Sequence, residues 1–190
     1  MKNQLHTDWT QYYTAPYKTA SITRKITGNL LIRAIKQYVP MGDHLSIIEL
    51  GGANSAFLEW IIRDCSPGAY MIIDNNQAGL DKTNGRIPEN APVTMINADI
   101  LTLELTEKAD LVFSVGLIEH FDQAGTRSVI KTHFDLVKPG GYVIMTFPTP
   151  TWLYQSVRYF AEVLGVWIFH DERPLELKEV LETANEYGRK

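Results

Sequence analysis

The sequence contains a single cysteine, Cys65, in 190 residues. One cysteine excludes both an internal disulfide and a zinc site built from several cysteines. The chain also lacks any run of the ~20 apolar residues that a membrane-spanning helix requires. Residues 1–8 have no apolar core of a signal peptide. We therefore expect a cytoplasmic protein that does not cross a membrane.

An excess of basic charge is missing as well. The formal net charge is −4 and the isoelectric point is about 5.7. General binding to nucleic acid needs a basic face that displaces counterions, so we expect no nucleic-acid partner. No group of His, Cys, Asp and Glu residues has the spacing of metal ligands, and the sequence predicts no metal site.

The sequence does contain a strand, a turn of small residues and a helix in succession. Ser46–Leu50 is an apolar run of strand length, as in a parallel sheet that is covered on both faces. Gly51-Gly52-Ala53 follows, where the backbone can turn sharply and approach a ligand closely. A helix is predicted from about Asn54 to Cys65, with Asn54 or Ser55 as its cap. Together these elements form the nucleotide-type binding corner of an open α/β sheet.

Four further strands and the helices between them complete the pattern. The strands are predicted at Ala69–Ile73, Val93–Asn97, Ala109–Val115 and Tyr142–Phe147. Lys138-Pro139-Gly140-Gly141 is expected to end the helix before the last strand, with glycine as a left-handed cap. The alternation predicts a Rossmann-like, doubly wound, mostly parallel sheet in three αβα layers. We divide this one globular domain into an N-terminal helical arm or lid (1–44), an α/β core (45–150) and a C-terminal helical segment (151–190).

Acidic residues stand at the ends of three successive strands. They are Glu49, Asp74 and Asp99. A carboxylate after the second strand can accept hydrogen bonds from both hydroxyls of a ribose, and one after the third can accept from the amine of adenine. A nicotinamide-dependent oxidoreductase would share these features. The loop Gly51–Ser55, however, is not the G-x-G-x-x-G that binds a dinucleotide pyrophosphate.

Five segments in order resemble those of class I S-adenosylmethionine-dependent methyltransferases, in their small-molecule branch. The first is Glu49–Ala53, with Ala53 where a second glycine usually stands, and Asp74 follows as the ribose-binding acid. The others are Ala98–Ile100 at the adenine site, Gly116–Phe121 after the fourth strand, and Leu136–Gly141 before the fifth. The resemblance implies S-adenosylmethionine as the cofactor and a small molecule as the methyl acceptor.

The same resemblance implies the site residues. Those expected at the cofactor are Glu49, Gly51, Gly52, Ala53, Asp74, Asn75, Ala98, Asp99, Ile100, Ser114 and Val115, and on the arm Tyr17 and Arg24. If the acceptor is a hydroxyl, a base would assist the methyl transfer. His120 is the first candidate for that base and Glu119 the second. His170, Asp171 and Glu172 could face the acceptor or be solvated.

The C-terminal segment departs from the family pattern. The family fold normally ends with an antiparallel pair of strands, but no strand is predicted after residue 150, so these edge strands are absent or truncated. The segment 152–169 is richer in apolar residues than one exposed helix should be. We expect it to form a homodimer contact or to cover the open edge of the fifth strand. A non-catalytic cofactor-binding or assembly module is therefore the alternative function.

Overall fold

The computed structural model describes residues 7–14 and 20–188. Its helices are α1 (Trp9–Thr14), α2 (Ala20–Tyr38), α3 (Leu58–Cys65), α4 (Gln77–Asn84), α5 (Gln123–Leu136), α6 (Trp152–Val163) and α7 (Leu177–Tyr187), and a 3₁₀ turn spans Ile118–His120. Its strands are β1 (Ser46–Leu50), β2 (Ala69–Asp74), β3 (Val93–Asn97), β4 (Ala109–Val115) and β5 (Val137–Thr146). None of the described helices is long and apolar enough to cross a bilayer.

The five strands form one sheet in the order β3-β2-β1-β4-β5, and every neighbouring pair is parallel. The chain runs outward from β1 through β2 to β3 and then crosses to the other side of β1 to begin β4. The C-terminal ends of β1 and β4 therefore flank the point where the direction of winding reverses, which is where open α/β sheets bind ligands. The predicted Rossmann-like fold is confirmed.

Helices cover both faces of the sheet, as the apolar strands predicted. Alternate residues of β1 point to opposite faces, with Ile47 in one core cluster and Ile48 and Leu50 in the other. The first cluster includes buried residues of α2, α3 and α4, and the second those of α5 and α7. The molecule is therefore a three-layer αβα sandwich.

Two boundaries differ from the prediction. Helix α3 begins at Leu58 rather than near Asn54, and its N-cap, Phe57, makes no side-chain cap hydrogen bond. Asn54 adopts a left-handed φ of 49°, so it belongs to the turn and is not the helix cap. Strand β5 begins at Val137, with an irregularity in its pairing to β4, and Gly140 (φ 77°) lies within this strand and not at the end of α5.

The C-terminal segment contains two helices with different environments. Helix α7 packs on α5, and Leu175 just before it is fully buried and donates its N–H to the carbonyl of Pro148 at 3.0 Å. Helix α6 buries none of its residues, and Trp152 is 79% exposed. Up to residue 188, no described strand follows β5. Helix α6 therefore does not compensate within the chain for the missing strands, whereas residues 175–184 complete the core.

We predict that Leu175→Ala destabilises the whole domain, because it leaves a cavity beneath α7. The expected loss in the free energy of unfolding is about 2–5 kcal/mol, measured by urea denaturation. Leu177→Ala is the matched control, because Leu177 is 57% exposed and its truncation should cost less than about 0.5 kcal/mol. If Leu175→Ala lowered the free energy of unfolding as little as Leu177→Ala, residues after 170 would not be part of the cooperative core.

Candidate functional site

A cavity of about 520 Å³ opens at the C-terminal ends of the strands, at the point where the winding reverses. The loops after β1, β2, β3 and β4 supply its inner walls. Its outer walls come from helices α1 and α2 and from Phe169, Asp171 and Glu172, whereas His170 does not line the cavity. Residues separated by more than 150 positions therefore meet around one space. This volume lies within the range typical of small-molecule and cofactor sites.

The loop after β1 depends on glycine at its first position. Gly51 has a φ of 73°, a left-handed conformation that strains other residues, and a Cβ there would lie 2.8 Å from Cδ1 of Leu117. The methyl group of Ala53 lies against α4, where a Cβ on Gly79 would be 2.6 Å from it. Asn54 donates its N–H to the carbonyl of Gly79 at 2.9 Å. The glycine on α4 therefore accommodates the alanine that departs from the family pattern.

Asp74 links this loop to the end of β2. One carboxylate oxygen accepts from the N–H of Ala53 at 3.0 Å, and the other accepts from the N–H of Asn76 at 2.8 Å. Burial raises the pKa of Asp74, while these backbone hydrogen bonds oppose the rise. Asp74 and Asn75 both line the cavity. An aspartate held in this way presents its carboxylate edge to a ligand in a fixed orientation.

The segment after β3 forms the next part of the wall. Ala98, Asp99 and Ile100 all line the cavity. The exposed Asp99 accepts a hydrogen bond from the N–H of Leu101 at 2.9 Å, which closes a turn. Asp99 thus lies at the cavity wall, and its role toward an adenine amine stays a prediction.

Glu49 lies deeper than the other acids of the site. It is 3% exposed and accepts hydrogen bonds from the hydroxyls of Ser55 (2.9 Å) and Tyr70. Burial raises the pKa of Glu49 to about 7, although the bonds from Tyr70 and Ser55 act in the opposite direction. Glu49 also lines the cavity. Its hydrogen bond with Ser55 therefore organises the loop after β1 from beneath the cavity.

Aromatic rings form the outer wall. Trp9 stacks on Tyr13 with ring centres 5.9 Å apart, and Phe169 lies 5.4 Å from the ring of Tyr12. Arg24 of α2 donates to the hydroxyl of Tyr12 at 2.9 Å and also lines the cavity. The arm is thus a structural part of the site.

His120 and Asp171 form a partly buried pair at the end of the cavity near β4. Nδ1 of His120 lies 3.1 Å from Oδ1 of Asp171, and Asp171 also accepts from the hydroxyl of Thr7. Burial alone would raise the pKa of Asp171, but the hydrogen bonds from His120 and Thr7 outweigh it and hold the pKa well below its usual range. An ionised aspartate on one ring nitrogen fixes the orientation and tautomer of the imidazole.

The neighbouring Glu119 has no such partner. Its side chain is buried, and Oε2 makes no hydrogen bond with any described residue. Burial, together with the negative charges of Glu172 and Asp171, raises the pKa of Glu119 to about 8. One ligand atom each of Glu119, His120 and Glu172 lie within 4.8 Å of one another. Sequence spacing did not indicate this cluster, because Glu172 is far from the other two in the chain.

Comparison with known proteins identifies the family. A family profile described as a methyltransferase domain matches residues 47–141, which is half of the chain. The chain belongs to the class I S-adenosylmethionine-dependent methyltransferase family. The predicted family is thereby confirmed, and S-adenosylmethionine is the cofactor of this family, as predicted. A search of curated proteins found no significant match.

Solved structures share the fold at low sequence identity. An O-methyltransferase family protein from Burkholderia thailandensis is 18% identical (TM-score 0.63; 87% of this chain and 54% of that one). The N-methyltransferase NodS from Bradyrhizobium japonicum, in complex with S-adenosyl-L-homocysteine, is 16% identical, with a TM-score of 0.64 over 96% of this chain and 81% of that one. A chain from the complex of the Haloferax volcanii Trm112 methyltransferase activator with a putative methyltransferase is 12% identical. Its TM-score is 0.72 over 97% of this chain and 77% of that one. This chain thus spans about half of the length of the Burkholderia protein.

Most of the residues predicted at the cofactor line the cavity, but two of the described ones do not. Ser114 is fully buried, and its hydroxyl bonds Nε2 of His133 at 2.9 Å. Strand alternation directs Ser114 toward α5 and its neighbour Val115 toward the cavity. Gly52 is buried beside Glu49, where a Cβ would lie 2.8 Å from Cδ, so its small size serves packing. Tyr17 lies outside the described residues.

Sequence reasoning missed the partners of His120. Asp171 was one of three residues for which solvent was an equal expectation, and Thr7 carried no signal. Asp171 and Thr7 lie 164 positions apart and bond each other beside a histidine that is 51 positions from the aspartate. Aromatic residues near the N-terminus gave the one usable signal, because they predicted a lid over the site.

We predict that Glu49→Gln changes how stability depends on pH. The folded pKa of about 7 exceeds the unfolded value of 4.5, so the folded state holds a proton that the unfolded state has lost. The stabilisation of the folded state by this proton is fully present below about pH 4.5 and is lost as the pH rises through 7. The free energy of unfolding of Glu49→Gln, minus that of the wild type, should rise by up to about 3 kcal/mol over that interval.

Denaturant titrations at a series of pH values measure this difference. Glu59→Gln, a change of an exposed glutamate on α3, serves as the control and should show no such rise. A difference for Glu49→Gln that is independent of pH would contradict the raised pKa.

Proposed function

We propose that this protein binds S-adenosylmethionine and transfers its methyl group to a small-molecule acceptor. The observation that carries the proposal is that one cavity joins the Gly51 loop and Asp74 to the His120–Asp171 pair. A cofactor held at the first group would extend toward the second. The cavity, with a volume of about 520 Å³, must hold both the cofactor and the acceptor. This volume favours a small acceptor over a macromolecule.

The proposal assigns the cofactor's parts to separate residues. Asp74 would accept hydrogen bonds from the ribose hydroxyls, and Asp99 from the adenine amine. Arg24 would bind the methionine carboxylate, because a guanidinium offers a planar pair of donors to a carboxylate. Supporting these roles, all three residues line the cavity from different sides. Tyr17 stays a prediction for the same region.

Methyl transfer is an in-line displacement at carbon, so positioning carries much of the catalysis. The acceptor's lone pair forms the new bond to the methyl carbon, and the electron pair of the breaking carbon–sulfur bond stays on sulfur. For a hydroxyl acceptor, we propose that His120 takes the proton, with Asp171 as a positioning residue and Glu119 as the second candidate for the base. Supporting this, Asp171 bonds Nδ1 of His120, so that Nε2 is the ring nitrogen that would take the acceptor's proton.

Other parts of the proposal concern organisation. We retain the division into an arm (1–44), a core (45–150) and a C-terminal segment (151–190), as well as the cytoplasm as the compartment. An assembly function stays the alternative, and the exposed apolar side chains of α6 favour it. These side chains also support a homodimer through residues 151–190.

The dimer is tested by sedimentation at micromolar concentration. We expect a dimer for the wild type and a monomer for Phe160→Glu, because Phe160 is 63% exposed on α6. Tyr38→Glu, at a residue of α2 that is 61% exposed, should leave the dimer intact. A wild-type monomer would contradict this part of the proposal.

We predict that Asp74→Ala weakens binding of S-adenosyl-L-homocysteine. Removal of one to two charge-assisted hydrogen bonds should cost about 1.5–5 kcal/mol, measured by calorimetric titration. Asp81→Ala, an exposed aspartate of α4, should bind like the wild type, and NAD should bind to none of them. Unchanged affinity in folded Asp74→Ala would reduce Asp74 to a structural role, and saturable NAD binding by the wild type would contradict the proposed function.

A further inference from the structure

Glu119 is a buried acid with one oxygen that no described residue satisfies. The residue is 2% exposed, and Oε2 has no hydrogen-bond partner among the described residues. Its backbone is nevertheless fixed, because its carbonyl accepts from the N–H of Arg173 at 2.8 Å. The side chain lines the cavity. An unpartnered buried carboxyl group is costly, and a polar ligand that enters the cavity would remove that cost.

The neighbouring charged groups already have partners. Asp171 is held by His120 and Thr7. Glu172 accepts from the hydroxyl of Tyr154, and Nη1 of Arg158 lies 3.7 Å from Oε1 of Glu172. Glu119 is therefore the acid of this cluster whose ionised form lacks a described partner, and a cation beside Oε2 would favour that form. The cluster has room for one further positive charge.

This charge count distinguishes an ammonium group from a divalent metal ion. Oε1 of Glu172 already accepts from the hydroxyl of Tyr154 and faces the guanidinium of Arg158. A divalent metal at Glu119, His120 and Glu172 would therefore bring two further positive charges where the cluster has room for one. An ammonium ion needs only an unpaired carboxylate and a place for its apolar body. It also donates hydrogen bonds, which Oε2 of Glu119 lacks.

The aromatic wall supplies that place. The ring of Trp9 lies 4.7 Å from the ring of His120, and Phe169 lies 6.0 Å from both. All three rings line the cavity beside Glu119. Aromatic side chains attract cations and also bury apolar groups favourably.

We infer that the methyl acceptor is a primary or secondary amine on an apolar or aromatic body, bound as its ammonium ion by Glu119. This inference rests on the proposed methyl transfer. The ammonium ion gives one proton to the Glu119 carboxylate, which leaves a neutral amine with a free lone pair. That lone pair attacks the methyl carbon, the carbon–sulfur bond breaks, and its electrons stay on sulfur. The product is a methylated ammonium ion, and the proton on Glu119 passes to solvent.

The test uses the full chain saturated with S-adenosyl-L-homocysteine and compares two probes of similar shape. Benzylamine is an ammonium ion near neutral pH, whereas benzyl alcohol is uncharged. Calorimetric titration should show benzylamine binding about tenfold or more tighter, the size of one charge-assisted hydrogen bond. Glu119→Gln should abolish this preference, and Glu107→Gln, an exposed glutamate, should retain it.

Three results would overturn the inference. They are equal affinity for the two probes, binding of neither probe, and a preference that survives in Glu119→Gln. Binding of Mn²⁺ or Zn²⁺ alone to the wild type, lost in Glu119→Gln, would also overturn it and assign the cluster to a metal. The first titration separates the two proposals: failure to bind S-adenosyl-L-homocysteine contradicts the proposed function, whereas failure of the amine preference alone contradicts only this inference.

Discussion

The hydrogen bond from the N–H of Ala53 to the carboxylate of Asp74 holds the site together. It joins the loop after β1 to the end of β2 across the centre of the sheet. The left-handed Gly51 lets the loop turn toward Asp74, and Gly79 on α4 leaves space for the methyl group of Ala53. Each part of this corner therefore depends on the others. Ala53 stands where the family usually has a second glycine, and Gly79 on α4 compensates for its extra methyl group.

The sequence predicted the sheet because its strands are continuous apolar runs that end in small or acidic residues. It predicted Asp74 and Asp99 because parallel strands place their C-terminal ends at one edge. It failed at Ser114, since motif position does not say which face a strand residue takes. It also failed at the helix start near Asn54, where the left-handed turn extends the loop to Phe57. Local pattern fixes the elements, while side-chain direction depends on packing against α5.

The pairing of His120 with Asp171 lay beyond sequence reasoning for a different reason. Contacts across 51 and 164 positions arise only when the C-terminal segment folds back over the sheet. The buried Leu175 and its hydrogen bond to Pro148 hold that segment in place just after Asp171. The packing of α7 on α5 thus positions the outer half of the site. Stability and chemistry are coupled here, because loss of the Leu175 contact would also displace the aspartate that orients His120.

Several carboxyl groups line the site, and they differ in their burial, hydrogen bonds and pKa values. Hydrogen bonds hold the pKa of Asp171 well below its usual range, whereas burial raises the pKa of Asp74 against its backbone hydrogen bonds. Burial also raises the pKa values of Glu49 and Glu119, to about 7 and 8. Glu49 is satisfied by two hydroxyls, but Glu119 keeps an oxygen without a partner. A sulfonium cofactor brings one positive charge, and an ammonium acceptor would bring a second. Two cations repel each other in a small cavity, so a carboxylate that can take a proton from the acceptor removes that repulsion before the methyl group moves.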